Sequence, residues 1–350
     1  MKIALISPLP PPEGGIATWT KEVEKYFVKK DIPVEIINNA VVGRRKQQIT
    51  SKTRVMDEVV RTKAIIGMLV KTIKNFQPDI LHINTSCGRF GIFRDFICIL
   101  IAQKNRIPCI LHCHCNVVDQ LNSTLAIQTF RQMVRMSKVV LVLNKTTLNY
   151  VNSCVDGKAI LMPNFIETDK IECYDKILND KIKEILFVGH IQKTKGCYEI
   201  IETAKHCPNI NFTLIGPIGE EFKSVKLPKN LKMLGKKRHD ELNAYMERAD
   251  IFLFPSYTEG FSNALLEAMN NGLPIIASNV GANEDMIEEG GGIIVPSQNI
   301  EKIVEAIAVL ENPQIRRDMS KWNIKKVERF YSKENVMSKM IEIYQNILNE

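Results

Sequence analysis

The sequence lacks long hydrophobic runs, has few aromatic residues and carries an odd number of cysteines. No stretch approaches the roughly 20 consecutive apolar residues that a membrane-spanning helix needs. The first residues reach Pro8 too soon for a secretory signal peptide. The nine cysteines are scattered over strand-like and helix-like segments, which favours reduced thiols over a disulfide framework. Together these features predict a cytoplasmic protein.

Basic charge is concentrated in the first half of the chain. Residues 1–170 contain 24 Lys and Arg and 13 Asp and Glu, a net charge of +11, whereas residues 171–350 contain 23 and 26, a net charge of −3. The basic residues, among them a cluster between Arg44 and Arg54, are not interleaved with aromatic residues, so nucleic acid is not a predicted partner. Three interpretations remain: a solvated surface, an anionic membrane face on which the protein would be peripheral, or a phosphate-bearing acceptor.

Short apolar runs alternate with helix-like segments along most of the 350 residues. A chain of this length exceeds what one core usually fills, so we expect two domains. The alternation predicts right-handed βαβ units and parallel sheets, an α/β fold whose ligands bind at the carboxyl ends of the strands. Strands are predicted at residues 3–9, 34–37, 79–84, 109–114, 139–143, 159–162, 185–188, 211–215, 231–234, 251–254, 273–277 and 292–295.

The highly charged segment 167–183 has few apolar anchors and is predicted to connect the two domains. We therefore expect an N-terminal domain at residues 1–166 and a second domain at residues 167–330. The tail from residue 315 to residue 348 is predicted to be helical throughout. Its last part, residues 331–350, is expected to pack back on the first domain.

Residues 254–269 contain the strongest functional signal. An apolar run stops at Pro255, a loop follows, and a run of helix-forming residues starts near Ser262. Ser262 can cap this helix and leave its first backbone N–H groups facing the loop, where the helix dipole favours an anion such as phosphate. Glu259 and Glu267 flank that anion site, and carboxylates accept hydrogen bonds from hydroxyl groups. Phosphate together with hydroxyls predicts a nucleotide sugar as the ligand.

Gly14, Gly15 and His114 are candidate ligand contacts of the first domain. The two glycines follow the first strand and allow close approach of a ligand to the backbone, although they do not form the G-x-G-x-x-G pattern of dinucleotide sites. His114 ends its strand, so we expect it near the same edge of the sheet as the two glycines. A capping or core histidine is the alternative interpretation of His114.

The run Leu111-His112-Cys113-His114-Cys115 contains four residues of the types that bind zinc. On a strand the two histidines point to one face and the two cysteines to the other, so the four side chains cannot close around one ion. No second cluster with ligand spacing occurs in the sequence. We therefore predict neither a metal site nor a cofactor.

The strongest motif closely resembles the nucleotide-sugar motif of glycosyltransferase family 4. The resemblance rests on residues 259–267, preceded by Pro255 and Ser256 and followed by residues 272–277 and Gly281, and it extends over nearly the whole chain. It implies the GT-B fold, in which two Rossmann-like, doubly wound domains face each other across a cleft. It also implies a retaining, metal-independent sugar transfer.

Roles for individual residues follow from the resemblance. It implies that Glu259 holds hydroxyls of the donor sugar and that Glu267 accepts a hydrogen bond from the ribose. Lys195 corresponds to the lysine that neutralises the diphosphate, and Gly15 would bring backbone to the phosphates. His114 would position the sugar or the acceptor. The backbone N–H groups expected to meet the sugar and the distal phosphate belong to Gly260, Phe261, Ser262 and Asn263.

His190 departs from the family pattern, which usually has arginine at this position, five residues before Lys195. Arginine is always charged and binds phosphate through two hydrogen bonds, whereas histidine is charged only in part near neutral pH. Lys193 is a candidate to supply the missing charge. His190 itself remains a candidate substrate contact.

The resemblance implies a hexosyltransferase that moves a sugar from a UDP- or GDP-sugar to a glycan or lipid-linked acceptor, in surface polysaccharide or glycolipid synthesis. Two other classes of function remain open. The departure at His190 is compatible with a non-catalytic nucleotide-sugar-binding subunit. The same architecture also supports a sugar-nucleotide epimerase or a phosphorylase.

Overall fold

The computed structural model describes residues 1–11, 14–40, 55–88, 90–168, 176, 178–288 and 290–350. These residues form two compact units. Unit 1 comprises Met1–Asn164 and Val336–Glu350, and unit 2 comprises Phe165–Asn335. The basic cluster between Arg44 and Arg54 lies outside the described residues.

Unit 1 contains a parallel sheet of six strands. The strands are β1 (Ile3–Ser7), β2 (Val34–Asn38), β3 (Ile80–Thr85), β4 (Cys109–Cys113), β5 (Val139–Val142) and β6 (Ala159–Leu161). Their order across the sheet is β2-β1-β3-β4-β5-β6. Every residue of β1, β3 and β4 is buried, because helices cover both faces of a parallel sheet.

Six helices of unit 1 connect these strands or follow their loops. They are α1 (Gly15–Lys29), α2 (Val55–Asn75), α3 (Gly91–Lys104), α4 (Val117–Gln120), α5 (Thr124–Met136) and α6 (Lys145–Cys154). Apolar side chains at helical spacing face the sheet, as in α1, where Trp19, Val23 and Phe27 are buried. None of the helices in the described ranges combines the length and the apolar content that crossing a bilayer requires.

Unit 2 repeats this architecture. Its strands are β7 (Glu184–Val188), β8 (Asn211–Ile215), β9 (Leu231–Met233), β10 (Ile251–Phe254), β11 (Ile275–Ser278) and β12 (Gly292–Val295). Their order is β12-β11-β10-β7-β8-β9. The helices that follow in the chain are α7 (Cys197–His206), α8 (His239–Arg248), α9 (Asn263–Asn270), α10 (Asn283–Ile287), α11 (Ile300–Val309), α12 (Pro313–Lys326) and α13 (Lys333–Asn349).

Each sheet has one point where the direction of the strand order reverses. In unit 1 this point lies between β1 and β3, and in unit 2 it lies between β7 and β10. At such a point the chain continues from the two neighbouring strands to opposite faces of the sheet, and open α/β sheets bind ligands beyond the carboxyl ends of these strands. The predicted α/β class with two doubly wound parallel sheets is confirmed.

The prediction that the tail is helical throughout is wrong at Ser332. A π-helical turn, Val327–Tyr331, precedes this residue, and Ser332 itself is extended with a ψ of 140°. The cause is the backbone of Ile166, whose N–H donates to Tyr331 O at 2.9 Å and whose carbonyl accepts from Lys333 N at 2.9 Å. A strand-like bridge therefore replaces the hydrogen bonds that would have continued the helix.

Most of α13 belongs to unit 1 and completes its core. Met337 and Tyr344 are buried, and the ring of Tyr344 packs against the ring of Phe27 at a centroid distance of 6.2 Å. The Tyr344 hydroxyl ends a series of buried hydrogen bonds, which we call the polar line. Its members are Tyr344, His82, Asn84, Ser7 and Thr20.

The direction of each hydrogen bond in the polar line follows from the bond that Thr20 makes at the end opposite Tyr344. Thr20 Oγ1 donates to the carbonyl of Ile16 in α1 at 2.8 Å, so it accepts from Ser7. Asn84 donates to Ser7 through Nδ2. Its Oδ1 is an acceptor and therefore accepts from His82 Nε2 at 3.1 Å. This leaves His82 Nδ1 as the acceptor for the Tyr344 hydroxyl, at 2.5 Å.

Tyr344→Phe should destabilise the protein by about 1–3 kcal/mol, because it leaves the buried His82 Nδ1 without a donor while the aromatic ring stays in place. The free energy of unfolding in urea measures the effect. Tyr198→Phe is the matched control, since Tyr198 is only partly buried, in unit 2. Equal stability of Tyr344→Phe and the wild type would contradict the role given to the polar line.

Candidate functional site

Two loops meet at the strand-order reversal of unit 2. One follows β7 and contains a 3-10 turn, Lys193–Lys195, and the other follows β10 and leads to α9. The backbone N–H of Tyr257 donates to Thr194 O at 2.9 Å and joins them. The Tyr257 hydroxyl adds a second link, because it donates to Glu199 in α7 at 2.6 Å.

Lys195 and Glu259 form an ion pair across these loops, between Nζ and Oε1. The Ser256 hydroxyl lies 2.8 Å from the same carboxylate oxygen and can donate to it. The Lys195 side chain is 23% exposed and the Glu259 side chain 10% exposed. The site therefore places a cation and a mostly buried carboxylate, both reachable from solvent, in direct contact.

Two glycines allow other loops to approach the loop after β10 closely: Gly196 lies in the loop after β7 and Gly281 in the loop after β11. Gly196, with a φ of +71°, would put an added Cβ only 2.1 Å from the carbonyl oxygen of Pro255. Gly281, with a φ of +57°, would put one 2.2 Å from the carbonyl oxygen of Glu259. Any side chain at either position would both strain the backbone and push the neighbouring loop away. The positions of Lys195 and Glu259 depend on both glycines.

A fully buried set of polar groups supports the loop after β10. The Ser278 hydroxyl donates to the carbonyl of Ser256, and Asn283 Nδ2 donates to the carbonyl of Ser278 at 3.1 Å. All three side chains have 0% exposure. Ser278 and Asn283 were not among the predicted site residues, and the one available signal was the position of Ser278 directly after the predicted strand 273–277.

Ser262 caps α9 as predicted, since its hydroxyl accepts from Leu265 N at 3.2 Å. The Phe261 side chain packs against the ring of Tyr331, with centroids 5.8 Å apart. Gly260 contributes its carbonyl to the loop after β11, accepting from Ala282 N at 3.1 Å. The structure brings these backbone groups to the start of α9, beside the loop that carries Glu259.

The remaining site residues of unit 2 are more dispersed. Asn263 is the first residue of α9, and Glu267 lies one turn further along, partly buried. His190 is exposed, and its carbonyl accepts from the Cys197 thiol at 3.9 Å. Lys193 is also exposed. Of the two lysines in the loop, Lys195 is the one in contact with Glu259.

In unit 1, the candidate residues lie at the carboxyl ends of β1 and β4. Gly14 and Gly15 lead into α1, whereas His114 follows β4 directly and donates its backbone N–H to Thr85 O at 2.9 Å. Gly14 has a φ of −178°, and an added Cβ would meet none of the described atoms within 4 Å. Neither the backbone conformation nor packing against the described residues requires glycine there.

His114 belongs to a cluster of aromatic rings. Its ring centroid is 4.0 Å from that of His112 and 5.0 Å from that of Trp19. Burial and then the neighbouring His82 lower the pKa of His114 to about 3, so its imidazole is neutral near pH 7. Its Nε2 atom is buried and makes no hydrogen bond to the described residues. His114 therefore has one unused polar atom.

The histidines and cysteines of this region lie on opposite sides of β4. His112 is in ring contact with His114, whereas Cys113 and Cys115 are buried together with Cys87 in the apolar core of unit 1. This is the alternation expected of a strand. Within the described ranges, no group of three or more His, Cys, Asp or Glu side chains is arranged to hold a metal ion.

Two family models match the chain. The model described as Glycosyltransferase Family 4 matches residues 13–170, and the model described as Glycosyl transferases group 1 matches residues 173–327. Together they cover most of the sequence, including the loops that carry Lys195 and Glu259. The chain belongs to the family 4, group 1 glycosyltransferases.

Known relatives of this glycosyltransferase match it over most of their length. The capsular polysaccharide biosynthesis glycosyltransferase CapM of Staphylococcus aureus is 28% identical over 304 residues, covering 83% of this chain and 71% of CapM. The alpha-monoglucosyldiacylglycerol synthase of Acholeplasma laidlawii is 25% identical over 330 residues, covering 83% of this chain and 81% of the synthase.

Solved structures show that the glycosyltransferase has the GT-B fold. Sucrose-phosphate synthase from Thermosynechococcus elongatus superposes with a TM-score of 0.79 at 17% identity, covering 99% of both chains. HepE of Anabaena, in complex with UDP, superposes with a TM-score of 0.75 at 15% identity, covering 99% of this chain and 100% of HepE. At these identities the likeness concerns the fold alone.

The histidine cluster of this glycosyltransferase predicts that acid destabilises unit 1. Burial lowers the pKa values of His82 and His114 from 6.5 to about 3, so between these limits the unfolded chain binds more protons than the folded chain. Their contribution to stability is therefore complete above pH 6.5 and is lost as the pH falls. We expect the midpoint of thermal unfolding to drop between about pH 7 and about pH 5.

Two variants assign this acid sensitivity to its source. His114→Asn should make the unfolding midpoint less dependent on pH, because it removes one of the suppressed protonation sites. His206→Asn, at an exposed histidine of α7, should leave the pH dependence unchanged. An identical pH dependence in His114→Asn and the wild type would show that the cluster is not responsible.

Proposed function

We propose that the protein transfers a sugar from a UDP- or GDP-sugar to a glycan or lipid-linked acceptor. The observation that carries this proposal is the placement of Lys195 and Glu259 in contact, beside the N-terminus of α9. A cation and backbone N–H groups suit a diphosphate, and a carboxylate suits the hydroxyls of a sugar. HepE, which has the same fold, is in complex with UDP, which supports a nucleotide donor.

We propose that unit 2, which corresponds approximately to the predicted domain 167–330, binds the donor and that unit 1 binds the acceptor. Glu259 holds hydroxyls of the transferred sugar, and Glu267 accepts from the ribose. The N–H groups at the start of α9 meet the sugar and the distal phosphate. In unit 1, Gly14 and Gly15 are candidate backbone contacts of a ligand, and His190 of unit 2 remains an additional substrate contact.

We propose that fixed positive groups accelerate the reaction by stabilising the charge that develops on the leaving group. As the bond between the anomeric carbon and the phosphate oxygen breaks, negative charge accumulates on the leaving diphosphate. Lys195 and the N–H dipoles of α9 are held in place before the reaction, so they stabilise this charge without reorganising. Because these groups already supply positive charge, we propose that transfer is metal-independent.

We further propose that the transfer retains the configuration of the anomeric carbon. The acceptor oxygen bonds to that carbon on the face from which the diphosphate departs, and the acceptor proton passes to an oxygen of the leaving phosphate. His114 is suited to a positioning role, because a pKa of about 3 makes it a poor base while its buried Nε2 can still hydrogen-bond a hydroxyl.

The names of two relatives suggest acceptor classes. CapM is a capsular polysaccharide biosynthesis glycosyltransferase, and the Acholeplasma laidlawii protein is an alpha-monoglucosyldiacylglycerol synthase. We propose that this chain likewise acts in surface polysaccharide or glycolipid synthesis. A lipid-linked acceptor would require the protein to work at a membrane surface on the cytoplasmic side.

The outward face of α2 has the composition of a membrane-binding surface. Met56, Val60 and Val70 are 70%, 63% and 51% exposed. Lys63 and Lys71 are exposed and recur on the same side at helical spacing. Apolar side chains beside lysines suit the interface of an anionic bilayer. We propose that α2 mediates peripheral binding to the inner face of the cell membrane.

Donor binding tests the proposed function directly. In a thermal-shift screen of UDP- and GDP-sugars, we expect at least one to raise the unfolding midpoint, since a ligand at 100 times its dissociation constant stabilises the folded state by about 2.7 kcal/mol. Lys195→Ala should then cut donor hydrolysis by roughly 100-fold or more. Lys205→Ala, at an exposed lysine of α7, serves as control.

Three results would count against the proposal in different ways. Binding without hydrolysis or transfer in the wild type would favour a non-catalytic subunit, and interconversion of the nucleotide sugar without an acceptor would favour an epimerase. Full activity in Lys195→Ala would remove the diphosphate role given to this residue.

Vesicle binding tests the membrane surface. We expect the protein to bind vesicles that contain phosphatidylglycerol more tightly than vesicles of phosphatidylcholine alone, and to detach as the salt concentration rises from about 0.05 to about 0.5 M. Val60→Glu should weaken binding, whereas Val309→Glu, at an exposed position of α11, should not. Cosedimentation measures both, and indifference to lipid charge would exclude this surface.

A further inference from the structure

The ion pair between Lys195 and Glu259 joins two residues that the proposed function assigns to different parts of one ligand. A diphosphate attracts Lys195 through its negative charge, whereas sugar hydroxyls donate to Glu259. Neither residue can serve the ligand fully while it remains bound to the other. We therefore expect donor binding to divide the pair, with the ligand replacing what each side chain loses.

A free nucleoside diphosphate can provide a new partner for Lys195 but not for Glu259. It offers phosphate oxygens to Lys195, but it has no hydroxyl at the position of the transferred sugar. Glu259, whose side chain is only 10% exposed, would then lose its cation with little access to water. Separating a mostly buried carboxylate from Lys195, its cationic partner among the described residues, is costly, and the phosphates brought beside it would repel it.

An intact nucleotide sugar provides new partners for both residues. Its diphosphate meets Lys195, and its sugar hydroxyls donate to the carboxylate that Lys195 has left. Ser256 keeps this carboxylate in position meanwhile, because its hydroxyl lies 2.8 Å from Oε1 and its carbonyl is fixed by the buried Ser278. The two ligands thus differ in whether the buried charge of Glu259 regains a partner.

We propose that the Lys195–Glu259 pair makes the site discriminate between an intact nucleotide sugar and the free nucleoside diphosphate, by weakening the binding of the latter. This inference rests on the proposed function and assigns it a specificity determinant. Glu259 has two effects on binding: it favours the ligand that carries a sugar, and it competes with the diphosphate for Lys195. The second effect also favours release of the nucleoside diphosphate after transfer.

The test is to remove the negative charge of Glu259 and measure both ligands. Glu259→Gln keeps the size of the side chain and its ability to hydrogen-bond with Ser256 and with hydroxyls, but it releases Lys195. By isothermal titration we expect UDP or GDP to bind roughly 3- to 10-fold more tightly than to the wild type, which corresponds to losing one partly buried competing charge. UDP-glucose or GDP-mannose should gain less or bind more weakly, and turnover should fall.

Two further variants distinguish this effect from a general change in the charge of the protein. Glu202→Gln removes the same charge from an exposed ion pair with Lys205 in α7 and should leave diphosphate binding unchanged. In the double variant Lys195→Met/Glu259→Gln, the gain in diphosphate affinity relative to Lys195→Met should be smaller than the gain of Glu259→Gln relative to the wild type, because the cation for which Glu259 and the diphosphate compete is absent.

The outcomes distinguish the inference from the function on which it rests. If the wild type binds the nucleotide sugar but Glu259→Gln binds UDP and GDP no more tightly, the inference is overturned and the proposed function stands. An equal gain in Glu202→Gln would also overturn it. If the wild type binds none of the four nucleotides, the proposed function fails and the inference fails with it.

Discussion

Close contact of the loop after β10 with the loops after β7 and β11 is the constraint on which the candidate site of unit 2 depends. Gly196, after β7, lies against the carbonyl of Pro255, and Gly281, after β11, lies against that of Glu259, with no room for a side chain at either place. Because the loops are this close, Lys195 and Glu259 touch although neither belongs to a strand. The ion pair is thus a product of backbone packing.

Behind these loops, buried polar groups hold the backbone in the form that the ion pair needs. Ser278 and Asn283 have no exposed surface and use their side chains to bind main-chain carbonyls. Such support keeps charged groups in place before a ligand arrives, which is the condition for electrostatic stabilisation without reorganisation. It also means that a ligand must compete with an interaction already made, since the same rigidity that aligns Lys195 keeps it beside Glu259.

The sequence predicted the sheets well because their strands are short apolar runs bounded by loop residues, a signal that each run carries by itself. It predicted the cap at Ser262 for the same reason, since a capping serine acts on the residues next to it. It could not show that Lys195 contacts Glu259, because the two lie 64 positions apart and the pairing depends on how the loops pack. The break at Ser332 was missed for a similar reason, since it is imposed by a distant backbone segment.

The polar line has a consequence for the order in which the chain can fold during synthesis. Unit 1 begins at Met1, but the hydroxyl that satisfies His82 belongs to Tyr344, 262 positions later. While the ribosome makes unit 2, the first sheet has all six of its strands and still lacks the helix that covers the buried imidazole. The second unit of the nascent chain can therefore close before the first, and the domain that starts the sequence is the last to be completed.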